Sequence, residues 1–242
     1  MNKSLLVVIG LIVLGAIGVY AYQAYQPPQD VERAEVSNVQ TATDDDHSDD
    51  AMMEDKMKDD SMMKEDEGMM MDKMALDEAN ITIRKQGSEI SVSTEDDVVS
   101  INPEEVSFTF TGYAVGKEHE ASFDTMEAQL AMPEGELEAA MLTIDPASVN
   151  SGIARLDTHL KSDDFFDVEQ YPTIVVKLDS IQDGQANGIV DFRGVQKSIT
   201  FPITVTDSEI SADFLFDAAP FDFKYTGVND EVRIQFQVAY SS

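Results

Sequence analysis

From Ile81 to the carboxyl end, apolar residues recur at every second position. In EEVSFTFTGYAV, Val106, Phe108 and Phe110 alternate with Ser107, Thr109 and Thr111, and in TIVVKLDSI, Ile174, Val176 and Leu178 alternate with Val175, Lys177 and Asp179. EISADFLFD puts Ile210, Ala212, Phe214 and Phe216 on one face, and EVRIQFQVAY does the same with Val232, Ile234, Phe236, Val238 and Tyr240. A period of two predicts half-buried antiparallel strands. Further strands are predicted near 88–93, 98–101, 118–124, 126–132, 136–144, 187–193 and 197–206, between turn sequences such as MPEGE and QDGQANG. One stretch, ARLDTHLKSDDFF, carries a helical period, with Leu156 and Leu160 one turn apart. Eight or more strands with one short helical interruption predict an all-β domain, a closed barrel or a sandwich, rather than βαβ units.

Upstream of Ile81 the pattern changes twice. Leu5 to Tyr22 is uncharged and mostly apolar, and at about 1.5 Å per residue its helix spans roughly the hydrocarbon thickness of a bilayer. Signal-peptide cores are shorter and no A-x-A site follows, so residues 1–26 read as an uncleaved membrane anchor in preference to a removed signal peptide. Lys3 before the span, acids after it, and Tyr20, Tyr22 and Tyr25 at its far end orient the amino terminus inside and the domain outside the cytoplasm. If the segment is cleaved, the protein is periplasmic or secreted.

Residues 27–80 are acidic, with nine methionines between Met52 and Met74 and hardly another apolar side chain. Such a composition does not repay its ordering entropy, which predicts a disordered linker holding the domain of residues 81–242 away from the bilayer. Clustered thioethers also favour soft metals, so copper(I) capture by this tract, with His47 as an added ligand and the domain as scaffold, is a rival reading.

The net charge of −31 repels phosphate backbones and anionic headgroups, which argues against nucleic-acid binding. The chain has no cysteine, which excludes disulfides, thiolate metal sites and thiol nucleophiles.

The run IDPASVNSGIARLDTHLKSDDFFDVEQYPTIVVKLDSI, then VDFRGVQKSITFPITV, then FDFKYTGVNDEVRIQFQV, resembles the YceI-like, lipocalin-like family of polyisoprenoid-binding proteins over about residues 98–240. The most specific piece is Asp157, His159, Leu160, Phe165, Phe166, Tyr171 and Pro172, preceded by Asp145, Pro146 and Ser148 and followed by the turn of Gly194, Val195 and Lys197. The resemblance implies a lipocalin-like eight-stranded antiparallel barrel with a long apolar cavity that accepts an isoprenoid chain. Eight strands enclose an interior that side chains fill or that holds one small ligand. The chain departs from the family at APFDFKYTGVND, where an Arg-x-x-Phe-Gly-like segment is common, and at Glu120, where glycine is frequent.

Inward rings and methyls then become candidate ligand contacts: Phe108, Phe110, Phe123, Leu130, Met141, Phe192, Phe214, Phe216 and Phe236 from the strands. Phe165 and Phe166 follow the helix, one ring capping the interior and the other seating the helix. Tyr171 and Pro172 read as the turn that launches the next strand.

Enzymatic signatures are missing. His47, His119 and His159 are the histidines; no Gly-x-Ser-x-Gly elbow or glycine-rich phosphate loop occurs, and Asp163, Asp164, Asp167 and Glu169 lack the order of a calcium loop. His119 reads as an exposed strand residue, and His159 as a helix hydrogen-bonder or a solvent-facing group. The sequence therefore points to a membrane-tethered binding protein for an apolar lipid such as an isoprenoid or isoprenoid quinone, without a catalytic residue, resident metal or other cofactor. A ligand-free structural or adhesive module is the other alternative.

Overall fold

The computed structural model describes residues 26–39, 76, 79–95, 99–114, 116–221 and 227–241. The alternating segments all become strands, and these collect into two antiparallel sheets. Numbered in chain order, the first sheet runs β1 (Glu35–Asn38), β11 (Val195–Pro202), β10 (Gln185–Phe192), β9 (Ile174–Gln182), β7 (Ala139–Ile144), β6 (Thr125–Ala131), β2 (Ile81–Gln86) and β3 (Glu89–Thr94). The second runs β12 (Thr204–Val205), β13 (Glu209–Asp217), β14 (Val228–Ser241), β4 (Ser100–Ala114), β5 (Lys117–Phe123) and β8 (Val149–Asn150). The single α-helix among the described residues, α1 (Ala154–Leu160), follows β8.

Tight turns pin the register. Asp183-Gly184 and Arg193-Gly194 are two-residue hairpin loops with both residues at positive φ, 53° and 75° in the first and 54° and 69° in the second. That conformation matches the twist of the strands it joins. Between β9 and β10 the register slips at Asn187/Gly188, and a Cβ at Gly188 would lie 1.9 Å from the Lys177 carbonyl oxygen. Only glycine allows the two backbones to approach so closely.

The expected closed eight-stranded barrel is corrected by this topology: among the described residues no continuous ladder encircles the interior. Closure requires every edge to find a partner along its length. β5 pairs only with Phe110–Ala114 of β4, so the Ser100–Thr109 stretch of that edge has no ladder, although β3 lies beside it. On the opposite side β11 and β13 do not pair with each other.

A strap from the amino-terminal side bridges that second gap. Ala34 N–H donates to the Leu215 carbonyl at 2.8 Å and Leu215 N–H to the Glu32 carbonyl at 2.8 Å, while Glu35–Asn38 pair with Lys197–Thr200. Arg33 is ion-paired with Glu231 at 2.5 Å. Residues 32–38, expected to lie in the linker, are paired with the sheets. Four paired residues are too short a run for alternation to reveal.

The other end of the methionine-rich segment is also held. Leu76 N–H donates to Gln129 Oε1 at 3.1 Å, and the Asn80 side chain bonds both N–H and carbonyl of Met132. The segment 40–75 thus joins two points of one domain. That segment and the expected anchor, Gln26 excepted, lie outside the described residues; among the described residues no helix is long and apolar enough to cross a membrane.

Candidate functional site: an apolar cavity between the sheets

The inward faces of the two sheets enclose a cavity of about 680 Å³, within the usual range of small-molecule sites of about 300 to 1,000 Å³. Phe108 and Phe110 reach it from β4, Phe123 from the end of β5, and Leu130 and Met141 from β6 and β7. Phe192 comes from β10, Phe214 and Phe216 from β13, and Phe236 from β14. Phe165 and Phe166 enter from the loop after α1. All eleven sequence candidates are thus brought together on one lining.

Their burial differs. Leu130, Met141, Phe192 and Phe214 are 4 to 8% exposed and belong to the packed core. Phe108, Phe110, Phe216 and Phe236 face inward yet remain half-buried. Their uncovered surface borders the cavity.

The Phe165-Phe166 pair divides its work. The Phe166 ring sits among Phe123 at 5.6 Å, Phe110 at 6.1 Å and Phe192 at 6.1 Å, where it joins the two sheets across the interior. Phe165 is 6% exposed and packs with Leu160, Ala218 and, in a perpendicular arrangement, the His159 ring at 4.9 Å between centroids, which seats α1.

Polar residues hold this loop from outside the cavity. Asp157 accepts hydrogen bonds from Ser151 N–H at 2.8 Å and Ser151 Oγ at 2.6 Å, closing the entry to α1. The Arg193 guanidinium donates to the Phe165 carbonyl and, at 3.2 Å, to the Asp163 carbonyl. It also lies 6.0 Å from the Tyr171 ring centre, and that ring packs against Gly194, where a Cβ would meet it at 2.9 Å. Pro172 lies two residues before the first residue of β9. Asp145 accepts from Ala147 N–H at 2.8 Å, and Ser148 Oγ accepts from Thr125 N–H at 2.9 Å. The residues that carry the family resemblance are therefore mostly framework, and the cavity is lined largely by positions that alternation alone identifies.

Among the described lining residues the titratable groups are Lys85, Tyr113, His119 and His159, without a carboxylate. Lys85 Nζ donates to the Phe123 carbonyl, 3.9 Å from Asp124 Oδ1. Burial, with smaller contributions from neighbouring charges, raises the Tyr113 phenol above its ordinary pKa. His159 Nε2 lies 3.3 Å from Asp164 Oδ2. His119, expected to be exposed, is half-buried on β5 and reaches the cavity. No group of three or more potential metal ligands of the His, Cys, Asp and Glu types occurs among the described residues.

Sequence reasoning passed over Phe201, which stacks on Phe214 at 4.4 Å and 17°. Its alternation with Ile199 on β11 and with Ile203 just beyond it was the available signal. Tyr113, 4% exposed at the end of β4, was also passed over. By parity it falls on the opposite face of β4 from Val106, Phe108 and Phe110, next in line after Thr109 and Thr111, so alternation did not mark it.

The YceI-like domain family matches residues 82–240, and the chain belongs to that family. No curated protein matches the chain. Among solved structures it is similar to BcnA of Burkholderia cenocepacia, at 19% identity over 59% of this chain and 100% of that one, with a TM-score of 0.49. It is also similar to a polyisoprenoid binding domain from Saccharophagus degradans implicated in plant cell wall breakdown, at 16% identity, 60% and 98% coverage and a TM-score of 0.45. A Campylobacter jejuni YCEI protein shares 23% identity over 49% of this chain and 82% of its own, with a TM-score of 0.45.

Proposed function

We propose that this YceI-like protein binds a long-chain isoprenoid or a related amphiphilic lipid in the cavity between its sheets, without performing chemistry on it. The observation that carries the reading is the cavity itself: about 680 Å³, with an almost wholly apolar lining and inward phenylalanines left half-buried. A filled, ligand-free module would bury those rings against one another. Burial of the ligand's chain contributes about 25 cal/mol per Å² of apolar surface, offset by the cost of ordering the chain. Residues 1–26 supply the proposed single-pass anchor, with the domain outside the cytoplasm; this part rests on the apolar run and its flanking charges.

Native mass spectrometry of the full chain purified from its own host, followed by organic extraction, tests the binding reading. A co-purifying mass with an isoprenoid tail is the expected result. A bare protein that also refuses added quinones and polyprenols would refute it.

A further inference from the structure

The two gaps between the sheets are closed by different means. At the β11/β13 gap the strap makes backbone hydrogen bonds to both sides, so a chain passing there must first break them. At the β3/β4 gap the described residues make no ladder. Of this stretch of β4, Ser100, Ile101 and residues 106–109 pair with β14, on the other side alone. Backbone groups left without protein partners must be hydrated, so this gap has wet backbone edges.

Its side chains are apolar. Ile90 and Val92 on β3, and Val106 and Phe108 on β4, are half-buried, and Ile90, Val106 and Phe108 line the cavity. The lining pattern also changes at this point. On β14 alternate residues reach the cavity, Val232, Ile234, Phe236 and Val238, as expected of a wall. On β4 consecutive residues do, 106 to 110 and again 112 to 114 where β5 is paired, so the cavity reaches the backbone of this strand, and before Phe110 no ladder among the described residues covers it on the β3 side.

We propose that the cleft between β3 and the Ser100–Thr109 stretch of β4 is a lateral portal, through which the apolar chain of the ligand enters and leaves the cavity. This rests on the lipid-binding reading above. A chain threading sideways here breaks no backbone hydrogen bond and stays in contact with apolar lips, while a polar head remains at the hydrated edge. The family match begins at residue 82, so the β2–β3 hairpin that forms one lip lies at the margin of the shared domain.

The absence of native cysteine makes a direct test available. Val92→Cys on the lip and Ser91→Cys, exposed on the same strand, are introduced singly into the full chain and coupled to maleimide-linked polyethylene glycol. Ser37→Cys on the strap is the control at the other gap. Uptake of a farnesyl chain carrying a dansyl group is followed by stopped-flow fluorescence. Polymer at position 91 or 92 should slow uptake and release together by about tenfold or more with little change in Kd, whereas polymer at 37 should leave both rates within about twofold. Unchanged rates with polymer at both 91 and 92, or equal slowing from position 37, would overturn the portal while leaving cavity binding intact. An unmodified wild-type chain that takes up no probe would overturn both readings.

Discussion

The wall made by β9, β10 and β11 and the wall made by β4 and β14 use the same residue types in the same alternation, yet the first is the more tightly packed. Leu178, Val190, Phe192, Ile199 and Phe201 are 3 to 7% exposed. Phe108, Phe110, Val232, Ile234 and Phe236 face inward from the other wall and are half-buried. Alternation decides which side chains point inward. Whether they meet partners or leave a void depends on what stands opposite, and that is set by strand pairing and strand edges.

Substitutions that treat the two walls alike should therefore have unlike effects. The largest is expected at Gly188, where a Cβ would meet backbone of β9 that cannot yield. Gly188→Val should cost more than about 4 kcal/mol and leave little folded protein by circular dichroism. Next is Phe214→Ala, which removes a ring 4% exposed and stacked on Phe201; urea unfolding should show a loss of about 3 to 5 kcal/mol.

Phe108→Ala on the open wall should behave in the opposite way. Its ring is incompletely buried and borders the cavity, so the stability cost should be about 1 to 2 kcal/mol, with affinity for a farnesyl probe reduced about tenfold. A stability loss matching that of Phe214→Ala, with affinity unchanged, would erase the distinction between the walls.

The smallest effect concerns Tyr113, a buried residue of β4. Burial favours its neutral phenol and raises its folded-state pKa above the ordinary 10.0. Its contribution to stability is therefore complete below pH 10 and is lost as pH rises through the folded-state value. Tyr113→Phe should flatten part of the alkaline decline in unfolding free energy and leave the neutral-pH pH dependence unchanged. An identical alkaline slope in the variant would show that Tyr113 makes no contribution to it.

Much of this was legible before the fold was known. The strand faces follow from a period of two, and each chosen phenylalanine reaches the interior because side chains on a strand have only two sides to occupy. DFFDVEQYPT was harder: in a loop, adjacent residues have no fixed relation, and the diverging directions of Phe165 and Phe166 depend on Arg193 holding the carbonyls of residues 163 and 165. The strap was illegible for another reason. Ala34 and Val36 provide too little apolar surface to stand out beside their charged neighbours.

The sequence was enough to determine an all-β domain, the helix after β8 and the inward faces, because these depend on periodicity and on turn residues that act within a few positions; the family was legible in the ordered motif residues from Asp145 to Lys197. Tertiary structure decided that two sheets face each other in place of a closed barrel, that residues 32–38 seal one gap, and that the other keeps apolar lips without a ladder. Those outcomes depend on which edges meet across long stretches of chain. Backbone hydrogen-bonding groups are the same at every residue, so the sequence carries no local mark of an edge left unpaired.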